Sequence, residues 1–137
     1  MKKKILIVYA NYYSQISDDL LDGALKYLNK TYNLNIRNGG VDVIEVPGVF
    51  EIPVTIVRRI KKYDGFIALG CVIKGQTPHF DFISSTTTDA IMKLSIDYKK
   101  PIGNGIITCL NKKQAIVRSI KKGQEAANAV GIVLEKS

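Results

Sequence analysis

"GFIALGCVI", residues 65–73, runs for nine residues without a single charge. A strand with one wet face alternates apolar and polar residues; an unbroken apolar run bounded by turn residues is what a strand buried on both faces requires. "KILIVYA" (4–10) reads the same way, and "VDVIEV" (41–46) and "IGNGIITCL" (102–110) complete four predicted strands. Helical patterns fill the gaps between them. Ile16, Leu20, Leu21, Ala24, Leu25 and Leu28 recur at helical spacing and predict a helix to about residue 32, capped by Ser14 or Ser17. "RNGG" (37–40) is a turn, and Pro47 and Gly48 end the second strand. "VFEIPVTIVRRIKKYD" (49–64) predicts a helix with Pro53 in its first turn, where a missing N–H is harmless. "DFISSTTTDAIMKLSIDYKK" (81–100) predicts a third helix stopped before Pro101. "KKQAIVRSI" (112–120) and "GQEAANAVGIVLEK" (123–136) predict two terminal helical segments, broken near Gly123.

The resulting βαβαβαβα order with short connections is that of a parallel sheet covered by helices on both faces. Its length suits one domain, spanning residues 1–137, with no linker or internal repeat. In such folds ligands bind beyond the carboxyl ends of the strands. Loops 10–15, 47–52, 72–81 and 108–113 are therefore the ones to search.

Composition narrows the function classes. Apolar residues make up 46% of the chain and charged residues 23%, ordinary for a globular protein. No window approaches the roughly 18 apolar residues of a membrane span, and the apolar run after "MKKK" is too short for a secretory signal core. Cys71 and Cys109 lie in apolar runs outside any metal or CxxC spacing, which predicts small core residues in a reducing compartment, the cytoplasm. The net charge of +8 is spread over helix ends and turns rather than gathered in a tail or a nucleic-acid motif. It argues against nucleic acid and fits an anionic small molecule equally well.

Loop 72–81 leaves a strand through Gly75 and enters a helix. Free backbone N–H groups near Gln76 and Thr77, with the Thr77 hydroxyl, could hold a phosphate, although an ordinary strand-to-helix turn explains the same residues. His79, the chain's single histidine, is either an exposed bystander or a proton carrier with a pKa near neutrality; Asp81 is a candidate to orient its ring. Glu51 is a first-turn carboxylate that either stabilises its own helix or accepts from ligand hydroxyls. Tyr12 either stacks on a flat heterocycle or covers the core with Tyr13. Arg118 and Lys122 read as solvent-facing unless another loop or subunit brings a phosphate to them.

Together, "VPGVFEIP" (46–53), "ALGCVIKGQTPHFDF" (68–82), "PIGNGIITCLNKKQAIVRS" (101–119) and "KGQEAANAV" (122–130) resemble, in order and spacing, the motifs of the lumazine synthase family of riboflavin biosynthesis. That resemblance implies a flavodoxin-like three-layer α/β/α sandwich with a four-stranded parallel sheet of order 2-1-3-4. It implies condensation of 5-amino-6-(D-ribitylamino)uracil with 3,4-dihydroxy-2-butanone 4-phosphate, without metal or organic cofactor, in sites between the subunits of a homopentamer. Riboflavin synthase is the partner it suggests. Residue by residue, it places Tyr12 on the pyrimidine ring and Val49, Phe50 and Glu51 on the ribityl chain. The backbone of Val72 and Ile73 reads the uracil edge, Gln76 and Thr77 form the phosphate turn, and His79 transfers protons. Arg118 reaches the phosphate from the adjacent subunit, and Lys122 and Asn104 lie near the heterocycle. Tyr13, Gln76 and Asn104 differ from the usual family residues, and the Arg118–Lys122 spacing is shorter than in many members. The alternative on the same scaffold is a non-catalytic flavin or lumazine binder. The first strand begins within four residues of Met1, which predicts an isolated pentamer rather than a decamer or larger shell.

Overall fold

The computed structural model describes residues 2–76 and 79–137. Four parallel strands, β1 (Ile5–Ala10), β2 (Val41–Val46), β3 (Gly65–Ile73) and β4 (Ile102–Cys109), form one sheet in the order β2-β1-β3-β4. All nine residues of β3 are buried, because it is central and both of its faces are covered. Alternate residues feed opposite layers. Ile5, Ile7, Ile67, Leu69, Cys71 and Ile73 face a core shared with helices α1 (Ser14–Tyr32) and α4 (Lys112–Glu135). Leu6, Val8, Phe66, Ala68 and Val72 face a second core under α2 (Ile52–Val57) and α3 (Phe80–Tyr98). The expected three-layer sandwich and strand order are both present. No helix among the described residues is long and apolar enough to cross a membrane.

The helices depart from expectation in three places. Tyr13, not a serine, occupies the N-cap of α1 and makes no side-chain cap bond. Ser17 lies one turn inside the helix, buried, and its hydroxyl donates to the Ala10 carbonyl at 2.7 Å, tying the helix to the end of β1. The segment after Gly48 is a 3₁₀ turn (Val49–Glu51) and then only six residues of α-helix. β-branched Val54, Thr55, Ile56 and Val57 are weak helix formers, and the chain beyond them tightens into bonds such as Arg59 N–H to Ile56 O and Lys62 N–H to Arg59 O.

The third departure matters most for the site. α4 is one uninterrupted helix of 24 residues, with no break at Gly123. A glycine inside a helix costs about 1 kcal/mol relative to alanine, so sequence alone favours a break. Here α1 and α4 cross backbone to backbone: a Cβ on Gly123 would collide with the Leu20 carbonyl, and one on Gly23 with the Ile120 carbonyl. Ser119, fully buried beside the crossing, donates to Asp19 Oδ2 at 3.3 Å. The close approach repays the propensity that Gly123 lacks.

Candidate functional site

At the carboxyl end of the sheet, Tyr12, Gly48, Val49, Phe50, Cys71, Val72 and Ile83 line an apolar cavity of about 150 Å³. Four of the expected ligand residues, Tyr12, Val49, Phe50 and Val72, are thus brought together from two separate loops and a strand end. Tyr12 is 63% exposed and Phe50 58%, so both rings stand at the mouth with free faces. Tyr12 is held edge-on by Tyr13, ring centroids 4.8 Å apart. The Tyr13 ring itself packs against the α1/α4 core, and its hydroxyl is buried with no partner among the described residues.

Glu51 closes the 3₁₀ turn through its N–H to the Gly48 carbonyl, and its carboxylate folds back over Gly48, with Oε1 3.2 Å from where a Cβ would stand. No hydrogen bond or ion pair among the described residues engages that carboxylate. It therefore remains an acceptor for hydroxyl groups at the rim of the cavity. Cys71 contributes only an inert wall: burial first, and Cys109 second, push its thiol up to about 12 against an opposing pull from Arg118. A thiol so protonated is no nucleophile at neutral pH.

β3 leaves the sheet through a turn whose geometry corrects one expectation. The Gln76 N–H bonds to the Ile73 carbonyl at 3.3 Å, with Gly75 at φ +83° in the position that demands a glycine. The turn consumes the Gln76 N–H, so Gln76 can offer an anion its exposed side chain but not a free amide. Thr77 lies outside the described residues. The N–H of Lys74 bonds to the Cys109 carbonyl at 2.9 Å, anchoring the turn to the end of β4. α3 then starts at Phe80 without a side-chain cap, leaving first-turn N–H groups unclaimed by the helix.

His79 is the residue that introduces α3, exposed and left-handed at φ 60°, ψ 39°. The other non-glycine residues with positive φ among those described are Asn33 and Lys99. Each of these is a helix C-cap, where left-handed geometry is common. His79 alone adopts it at a helix N-terminus, a conformation costing about 1–2 kcal/mol for a residue with a Cβ, and such strain gathers at functional positions. Its carbonyl accepts from the Ile83 N–H at 2.9 Å. No hydrogen bond joins its ring to Asp81 among the described residues, so the expected orienting contact is not made.

The remaining expected residues lie elsewhere on the chain. Asn111 accepts from the Gln114 N–H at 2.9 Å while the Gln114 side chain accepts from the Leu110 N–H at 3.1 Å. This reciprocal cap fixes the start of α4, and Arg118 follows one turn later. Its Nη1 donates to Cys109 Sγ at 3.3 Å. Arg118 and Lys122 line a cleft that shares no residue with the Tyr12 cavity. Asn104 sits on the edge strand β4, where its Oδ1 accepts from the Ile106 N–H at 3.1 Å, and it lines neither pocket. The chain therefore gathers Tyr12, Val49, Phe50 and Val72 around an apolar cavity and displays Arg118 and Lys122 in a separate cleft.

Ile83 and Gly48 join the cavity without having been singled out in the sequence. Ile83 stands one turn beyond His79, a spacing that would have placed it beside the loop had the helix start been known. Among the described residues no cluster of His, Cys, Asp and Glu could hold a metal ion.

The family model described as 6,7-dimethyl-8-ribityllumazine synthase matches residues 2–136. A protein of that name from Agrobacterium fabrum is 41% identical, the match covering 98% of this chain and 94% of the relative. Its namesake from Bartonella bacilliformis is 42% identical over 88% of this chain and 78% of the relative. The one from Buchnera aphidicola subsp. Baizongia pistaciae is 40% identical over 98% and 85%. All three are named for the synthase activity and none for binding alone.

Proposed function

The chain belongs to the 6,7-dimethyl-8-ribityllumazine synthase family, and from that premise we propose how its residues divide the reaction. The enzyme is a transferase of riboflavin biosynthesis. It condenses 5-amino-6-(D-ribitylamino)uracil with 3,4-dihydroxy-2-butanone 4-phosphate to give 6,7-dimethyl-8-ribityllumazine, phosphate and water. The observation that carries the assignment of roles is the cavity in which Tyr12, Val49, Phe50 and Val72 converge, next to the Glu51 carboxylate that folds over Gly48.

Tyr12 stacks on the pyrimidine, Val49 and Phe50 flank the ribityl chain, and Glu51 accepts from its hydroxyls. The backbone of Val72 and Ile73 reads the uracil edge. An amine adds to the ketone and water leaves; a carbon acid then gives up a proton as the C–O bond to phosphate breaks and phosphate takes the electron pair. The resulting enol becomes a carbonyl, which the second amine attacks, and loss of a second water closes the ring. Each step moves protons, and His79, exposed at the start of α3, is the carrier. Gln76, Thr77 and Arg118 hold the phosphate, and Arg118 stabilises the charge it carries away. Holding two substrates together supplies much of the remaining acceleration.

The separation of the Tyr12 cavity from Arg118 supports a site completed by a neighbouring copy, and with it a homopentamer in which the whole chain acts as one synthase domain. Phe82, Met92 and Ile96, each more than half exposed along α3, offer an apolar face for such a neighbour. Light scattering is expected to give the mass of five protomers; a monomer would remove the shared site. Two free buried cysteines support the cytoplasm as compartment, where riboflavin synthase would take the product.

Purified protein mixed with both substrates is expected to form lumazine and release phosphate well above the spontaneous rate. Arg118→Ala should raise KM for the butanone phosphate about 10- to 100-fold, the worth of a charge-assisted bond. An unchanged dependence on that substrate would refute the role given to Arg118.

A further inference from the structure

The continuity of α4 fixes what lies beside Arg118. At helical spacing, residues three and four apart share a face, so Arg118, Lys121, Lys122 and Glu125 form one stripe. With Val117 they line a single cleft of about 350 Å³. Three cations there face one carboxylate, and no ion pair among the described residues engages any of the three. Like charges at these spacings destabilise a helix, and Glu125, four residues from Lys121 and three from Lys122, offsets them only in part. The stripe cannot rotate away, because the other side of α4 is locked against α1 at Gly123 and Ser119. Arg118 is steadied through Nη1 on Cys109 Sγ, while its remaining donors have no protein partner among the described residues and suit a two-pronged bond to an oxyanion.

We propose that Lys122, with Lys121, belongs to the phosphate clamp of Arg118 rather than to the heterocycle, so that the three side chains cradle the phosphate monoester of the butanone substrate. The inference rests on the phosphate role given to Arg118 above. A helix holds positions 118 and 122 about 6 Å apart along its axis. Lys122 therefore follows Arg118 to whatever anion Arg118 meets. Glu125 lies a further turn along the stripe, at the end of the cradle away from Arg118, where it leaves the cleft with a net positive charge.

The test is Lys122→Met, with steady-state kinetics varied in each substrate separately and with inorganic phosphate as competitor. The KM for the butanone phosphate and the inhibition constant of phosphate are each expected to rise about tenfold. The KM for the ribitylaminouracil should stay within about twofold, and Lys122→Arg should restore most of the loss. A rise confined to the ribitylaminouracil KM, or no change in either constant, overturns the proposal. Lys121→Met reads the same cradle should Lys122→Met lose helicity by circular dichroism. If the wild type shows no turnover, the reading of the active site falls, while calorimetric titration with inorganic phosphate still decides the cradle. Binding weakened by Lys122→Met then supports it, and no binding by the wild type removes it.

Discussion

His79→Ala is expected to lower kcat about 100-fold, the usual worth of a positioned proton carrier, with KM for both substrates changed less than about twofold. The residue stands exposed at the start of α3 and lines no wall of the apolar cavity, so its removal takes little binding surface. A pure binding role predicts the reverse pattern, with KM rising and kcat preserved. Single-turnover kinetics would separate the two. Normal turnover in the variant would end the assignment and leave the left-handed backbone of His79 as a matter of loop geometry alone.

Gly123→Ala is expected to destabilise the protein by about 3 kcal/mol, the upper end of the overpacking range, lowering Tm by roughly 10 °C for a chain of this size. Helix propensity by itself predicts the opposite sign, a gain of about 1 kcal/mol, so thermal unfolding distinguishes the two accounts cleanly. The added methyl would meet backbone, the Leu20 carbonyl, rather than a flexible side chain that can step aside. α4 would have to shift away from α1 and carry Arg118 with it, so surviving protein should also show a raised KM for the butanone phosphate. An unchanged or higher Tm would mean that the helix crossing is looser than the structure has it.

The two predictions draw on different parts of the chain, and that division tracks what a linear sequence can express. The strands were legible because burial on both faces leaves an uninterrupted apolar run: β2 and β3 match their expected bounds, and β1 and β4 each fall one residue short at one end. The first helix ends at Tyr32 as its periodicity predicts. Val49, Phe50, Glu51, Val72 and His79 could be singled out because short loops at strand ends must lie at the mouth of a parallel sheet, and because their motifs are long. The gathering of Tyr12, Val49, Phe50 and Val72 around one cavity follows from that topology.

What the sequence did not express was which backbone group each of several residues meets, within a turn or across elements distant in the chain. Gly123 reads as a helix breaker until α1 is laid across it. Ser17 reads as a cap until the Ala10 carbonyl takes its hydroxyl. The Gln76 amide reads as free until the turn claims it for Ile73. The sequence by itself determined the parallel sheet, the family and the loops that carry the reaction, since hydrophobic periodicity and motif spacing are local properties. Only the tertiary structure decided that α4 is unbroken and that Arg118, Lys121 and Lys122 therefore share one face. That outcome depends on the backbone-to-backbone approach of two helices about a hundred residues apart, which no local pattern encodes.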